Sequence, residues 1–260
     1  MAIELFNDGR HACVMFNDLV DDEQSDAVQA NQFLIVSDGE GTLLDPAGNM
    51  TYNALLLAMN KYFPHKNLKY ILASHQDPDV VASLNKWLFG TDAKLCVSRL
   101  WERLVPHFTT QDRSVDRIIG VPDKGMILPL KDSRIFIVPA HFLHSEGNFH
   151  FYDEKAKILF SGDMGASLVH HDLVEAPITK AAEFAAHISA MEGFHRRYMV
   201  SNKACRLWAN MVRTLDIDCL VPQHGRYFKG REAINAFLDW IERLECGIDL
   251  FTQDNYRLPA

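Results

Sequence analysis

Short apolar runs ending in loops that carry histidine or aspartate alternate with helical stretches along this chain. That alternation restricts it to layered packings of sheets and helices. Gln32 to Val36 reads as a strand, and Thr42 to Leu44 follows after Ser37-Asp38-Gly39-Glu40-Gly41, so the pair predicts a hairpin. Tyr52 to Phe63 carries Leu55, Leu56, Met59 and Phe63 at helical spacing and stops before Pro64. Lys69 to Ala73 reads as a buried strand, and Val80 to Phe89 as a helix ended by Gly90. Further on, Arg134 to Val138, Asn148 to Tyr152, Ile158 to Phe160 and Cys219 to Val221 read as strands. Helices are predicted over 181–200, 203–215 and 233–244. Mixed strand pairs with interspersed helices predict two sheets between helical layers. We expect one α+β domain over residues 1–260, with a polar tail from about Thr252.

Composition narrows the function classes. With 26 Lys+Arg against 34 Asp+Glu, the net charge of −8 argues against a nucleic-acid binder, and no basic run tracks a phosphate backbone. Apolar residues make up 48% of the chain, which excludes wholesale disorder. No apolar stretch is long enough to span a membrane, and the N-terminus lacks the basic and apolar regions of a signal peptide. Five scattered cysteines with no C-x-x-C pair (Cys13, Cys96, Cys205, Cys219, Cys246) predict reduced, buried thiols in a cytoplasmic protein.

The chemistry concentrates in four loops. Ser74-His75-Gln76-Asp77-Pro78-Asp79 follows a predicted strand, and Pro78 biases Asp77 to extended backbone, where alternate side chains can converge. A plain alternative is that Asp79 merely caps the next helix. His144 lies in His141-Phe142-Leu143-His144, Asp163 in Phe160-Ser161-Gly162-Asp163, and His224 in Val221-Pro222-Gln223-His224-Gly225. Three imidazoles and three carboxylates form a donor set that suits iron or manganese, while zinc is also compatible with it.

The order H-x-carboxylate-x-D, a later His, S-G-D and P-x-H-G resembles the metal-site signature of the metallo-β-lactamase superfamily, over roughly residues 28 to 245. The resemblance implies an αβ/βα four-layer sandwich. Asp77 stands at the second ligand position, where flavodiiron proteins carry a carboxylate. Together with Phe142-Leu143-His144 and Ser161-Gly162-Asp163-Met164, it makes the chain similar to that branch. By this resemblance His75, Asp77 and His144 would bind one iron, Asp79 and His224 the second, and Asp163 would bridge both. Two departures stand out. Val80 occupies the place of the last histidine of the motif and cannot ligate, and Asp77 is one methylene shorter than the family's Glu.

Flavodiiron enzymes carry a flavodoxin-like domain, which this chain has no room for. There is also no Gly-rich phosphate loop, so no FMN is expected. The resemblance therefore points to the stand-alone oxygen-binding di-iron proteins of bacterial chemotaxis. The expected function is a cytoplasmic, homodimeric sensor whose reduced pair of irons captures O2 as a stable peroxo-type adduct and signals to a chemotaxis partner. The alternatives are an O2 or NO reductase fed by a separate flavoprotein or rubredoxin, and a zinc hydrolase. His141 is the rival of His144 as ligand. His170 and His171 are either hydrogen-bond donors to the site or a solvated loop. Phe142 and Met164 either pack beside the metals or belong to the core, and the four Trp are read as core or dimer-interface residues.

Overall fold

A computed structural model describes residues 1–20, 28–107, 109 and 116–259. Strands β1 (Ala2–Asn7), β2 (His11–Phe16), β3 (Gln32–Ser37), β4 (Glu40–Leu44), β5 (Leu68–Leu72), β6 (Lys94–Ser98) and β7 (Ile118–Val121) form one sheet in sequential order. The second sheet has the order β13-β12-β11-β10-β9-β8. It is built from β8 (Met126–Leu130), β9 (Ser133–Pro139), β10 (Phe149–Asp153), β11 (Ile158–Phe160), β12 (Cys219–Val221) and β13 (Phe228–Lys229). Pairing is antiparallel except across β4–β7 and between β11 and β12, where strands run parallel.

Because side chains alternate across a strand, each sheet is apolar on both faces and feeds two cores. Cys13, Met15, Phe33 and Ile35 point between the sheets, where they meet Ile135, Ile137, Phe149, Phe151 and Phe160. Val14, Phe16, Leu34 and Leu43 point outward to α1 (Tyr52–Met59), α2 (Pro78–Val81) and α3 (Leu84–Gly90), with Trp87 at the centre. Leu159, Leu220 and Phe228 point outward from the second sheet to α4 (Ala181–His187), α5 (Glu192–Tyr198), α6 (Asn202–Val212) and α7 (Arg231–Ile241). Three parallel cores between four layers make the αβ/βα sandwich expected from the sequence.

Several local readings need correction. The single helix read over 181–200 is two helices, separated by a 3-10 turn at Ile188–Ala190. The helix read over Val80–Phe89 is likewise divided, and Ser83, at the N-cap of the second piece, donates from its hydroxyl to Pro46 O. The final segment contains a 3-10 turn, Gln253–Tyr256, capped by Thr252. Trp87, Trp101 and Trp208 are core residues, and all five cysteines are free and buried. Among the described residues no helix is long and apolar enough to cross a membrane.

Candidate metal centre

The loops leaving β5, β11 and β12 and the loop entering β10 meet at one end of the sandwich. Backbone bonds lock them together: Phe149 N–H donates to Ser74 O (2.9 Å), Ser161 N–H to Val221 O (2.9 Å) and Gln223 N–H to Gly162 O (2.7 Å). All six residues singled out from the sequence lie there, grouped around Asp163, which is 5% exposed.

Asp163 faces two ways. His144 Nε2–H donates to its Oδ2 at 2.9 Å, and His75 Nε2 lies 3.6 Å from the same oxygen. Asp77 Oδ2 completes this side, 3.4 Å from His144 Nε2 and 3.8 Å from His75 Nε2. One atom from each of His75, Asp77, His144 and Asp163 lies within 4.8 Å of the others. On the opposite side, Asp163 Oδ1 is 3.4 Å from His224 Nε2, which is 3.3 Å from Asp79 Oδ2. The carboxylate thus joins a group of two histidines and one aspartate to a group of one of each.

Local structure explains the aim of each side chain. Asp77 has extended backbone (φ −69, ψ 150) and Pro78 begins α2, as the sequence required. Asp77 occupies the N-cap without a side-chain cap bond, and Asp79 lies in the first turn instead of capping the helix. His224 Nδ1–H donates to Gln29 O (2.8 Å) and His75 Nδ1 pairs with Ser74 Oγ (2.8 Å), which leaves Nε2 of each ring for the centre. Gly225, at φ +77, lets the His224 loop pass Ser167; a Cβ there would lie 2.4 Å from Ser167 O. His75 Nε2 and Asp163 Oδ1 are buried and make no hydrogen bond among the described residues, as unmet donors to a cation would. Their chemistry, hard carboxylates with imidazoles, fits a pair of divalent ions.

The electrostatics fit too. Burial alone raises Asp163, but the His75 charge, the hydrogen bond from His144 and the neighbouring His224 hold it well below the ordinary carboxylate range. Asp77 is lowered, chiefly by the bond from His144. Burial opposes protonation of His144 and His224, yet Asp163 acting with Asp77 and Asp79 respectively raises each to about 10. With folded values above the ordinary 6.5, this pairing stabilises the metal-free protein fully below pH 6.5 and is lost as pH rises through about 10. A metal must displace those protons. At pH 8 metal loading should therefore release about two protons per chain, one each from His144 and His224, readable with an indicator in weak buffer. Loading without acidification would contradict this.

Other residues took different places. His141 turns away, its Nε2–H donating to Asp123 O (2.7 Å). His170 is exposed and pairs with Asp172, while the side chain of His171 lies outside the described residues. Met164 is core, Phe142 is half exposed, and Val80 is fully buried under the first sheet. Sequence reading missed the aromatic wall of Phe194 and Tyr198 beside His144, at 6.4 and 5.9 Å between ring centroids. It also missed His195, whose Nε2 accepts from Gly165 N–H (3.0 Å) and steadies the loop after Asp163. Asp45, which accepts from Ser74 N–H (2.8 Å), escaped notice as well. None of these carries a short motif.

Burial pushes His150 down to about 3 and His195 to about 4, and pushes Asp45 up to about 6. Below pH 6.5 the unfolded chain protonates both histidines while the native one does not, so stability falls on acidification. Each histidine contributes up to about 1.4 kcal/mol per pH unit. Asp45 has the opposite sign, because the native state holds its proton between about pH 6 and 3.8. A net loss of up to about 1.4 kcal/mol per pH unit between pH 6 and 4 should appear in urea unfolding of the metal-free protein. A flat or rising profile would contradict it.

The fold and the clustered His/Asp donors define a metallo-β-lactamase-like, flavodiiron-like protein. The chain belongs to the family described as ODP family beta lactamase, whose model matches residues 28–225. It is similar to a solved structure titled as a peroxy diiron species of the chemotaxis sensor ODP, at 36% identity and a TM-score of 0.84, covering 98% of this chain and 99% of that one. The apo state of that sensor from T. denticola matches with the same identity and TM-score. A flavo di-iron protein from Thermotoga maritima shares the fold at 17% identity and a TM-score of 0.75, over 93% of this chain and 61% of that one. An uncharacterised protein of Methanocaldococcus jannaschii is 25% identical over 218 residues, 81% of this chain and 52% of that protein. This chain therefore spans about half the length of that curated relative.

Proposed function

We propose that this chain is a cytoplasmic oxygen-binding di-iron sensor. His75, Asp77 and His144 would hold one ion, Asp79 and His224 the second, and Asp163 would bridge them. The observation that carries the reading is the two-sided Asp163, with a His/Asp group facing each of its oxygens. The likeness to a di-iron chemotaxis sensor over nearly the full length of both chains supports it.

When bound, two ferrous ions supply the electrons that capture O2. The chain's own part is to hold the site. Gln29 and Ser74 fix the ring orientations of His224 and His75. Phe194 and Tyr198 cover His144 with aromatic surface that limits water. Val80 provides no imidazole, so the second ion would be held by Asp79, His224 and the shared Asp163 alone. We also propose that the chain works as a single domain and homodimer, and that a chemotaxis protein reads site occupancy.

The test is oxygen uptake by protein loaded with ferrous iron and then freed of excess reductant. A sensor takes up about one O2 per iron pair and stops. Sustained consumption of O2 or NO once a flavoprotein or rubredoxin donor is added would make the protein a reductase instead.

A further inference from the structure

A second set of ligand-type atoms lies at the far end of the sandwich. β10 enters beside the metal centre and runs roughly 13 Å before ending at Asp153. There Asp153 faces His11 and Cys13, which share one face of β2 because they are two residues apart. The cluster therefore crosses from one sheet to the other. His11 Nε2 is 2.7 Å from Asp153 Oδ2, and Cys13 Sγ is 3.5 Å from that oxygen and 3.8 Å from His11 Nε2. Exposure is 1% for His11 and 0% for Cys13 and Asp153.

A hydrogen-bonded clip between sheets would need only His11 and Asp153. It would not call for a thiol on the same oxygen. Asp153 Oδ1 is already taken by the N–H groups of Lys155 (3.0 Å) and Ala156 (3.1 Å), which hold Oδ2 on the cluster. Among the described residues no Lys or Arg side chain pairs with this carboxylate. A divalent ion would balance one carboxylate and one thiolate beside a neutral imidazole. Tetrahedral zinc sets sulfur about 3.5 Å from neighbouring N or O ligands, and N about 3.3 Å from O. The sulfur–Asp153 distance already matches that geometry, the sulfur–His11 distance must close by about 0.3 Å, and the His11–Asp153 gap must open by about 0.6 Å.

We propose that His11, Cys13 and Asp153 form a zinc site that staples the two sheets, separate from the His/Asp centre and independent of the oxygen reading. The mixed thiolate, imidazole and carboxylate donors favour zinc over the harder ions expected at the other centre. Without metal, burial and the Asp153 charge keep the Cys13 thiol protonated, and zinc would expel that proton.

The two sites are distinguishable because the His/Asp centre contains no sulfur. Full-length protein produced in cobalt-supplemented medium should show a cobalt–thiolate charge-transfer band in the near ultraviolet. The band should persist in His144→Ala and vanish in Cys13→Ser, and zinc-grown protein should lose one chelator-resistant zinc per chain in the same variant. If Cys13→Ser does not fold, His11→Gln, which keeps the thiol, should weaken cobalt retention against a chelator at least 10-fold. Absence of the band from the wild-type protein, or its survival undiminished in Cys13→Ser, overturns the proposal.

Discussion

Asp163→Ala protein should emerge from expression without metal at the His/Asp centre. The carboxylate is the one group that touches both halves of the site, reaching His144 at 2.9 Å and His75 at 3.6 Å through Oδ2 and His224 at 3.4 Å through Oδ1. Its removal takes away a ligand from each ion and also the negative charge that the buried His75 and the partly buried His144 and His224 face. Loss of a residue that only orients a ligand costs about 10–100-fold in metal affinity, so loss of this shared ligand should cost more than about 100-fold. Asp163→Asn should fail as well, because it keeps the shape but not the charge. Ser74→Ala removes only the partner of His75 Nδ1 and should fall within the smaller range. Metal retained after dialysis measures all three. Wild-type stoichiometry in Asp163→Ala would remove the bridging role.

Phe160→Ala should lose about 3–5 kcal/mol of stability. Phe160 is 1% exposed and packs against Phe33 across the gap between the sheets, with ring centroids 4.8 Å apart. Its strand is internal, paired to β10 on one side and β12 on the other, so neither neighbour can move in to fill the space. The same residue leads directly into Ser161, Gly162 and Asp163, and a slackened strand end should loosen the metal centre too. Urea unfolding of metal-free protein separates the two effects. A loss below about 1 kcal/mol would mean that the sheets collapse onto the cavity.

The candidate site was largely legible because each of its residues lies in a loop next to an apolar run, and short buried strands place such loops at a sheet end whatever the details of pairing. Pro78 even announced the extended backbone of Asp77. Less of the fold was readable. β1 is partly exposed along its length and offers no clear alternation. β8 carries Pro129, which argues against a strand unless the strand is an edge, and β8 is an edge. The helices on either side of Ile188–Ala190 keep one apolar rhythm through the turn, so periodicity joined what the backbone separates. The groups that steady the ligands, such as Gln29 under His224, act from 195 residues away through a backbone carbonyl that any residue type could supply. The His11–Cys13–Asp153 cluster was invisible for a similar reason: Asp153 lies 140 or more residues from the other two, and the three match no motif.

Two ions held around Asp163 would give the protein a defined iron content and a defined response to oxygen. Protein loaded with ferrous iron without oxygen should contain about two irons per chain, both lost in Asp163→Ala. A single exposure to air should then produce a slowly decaying visible charge-transfer band. Zinc in place of iron, or iron that gives no spectral response to air, would contradict the account.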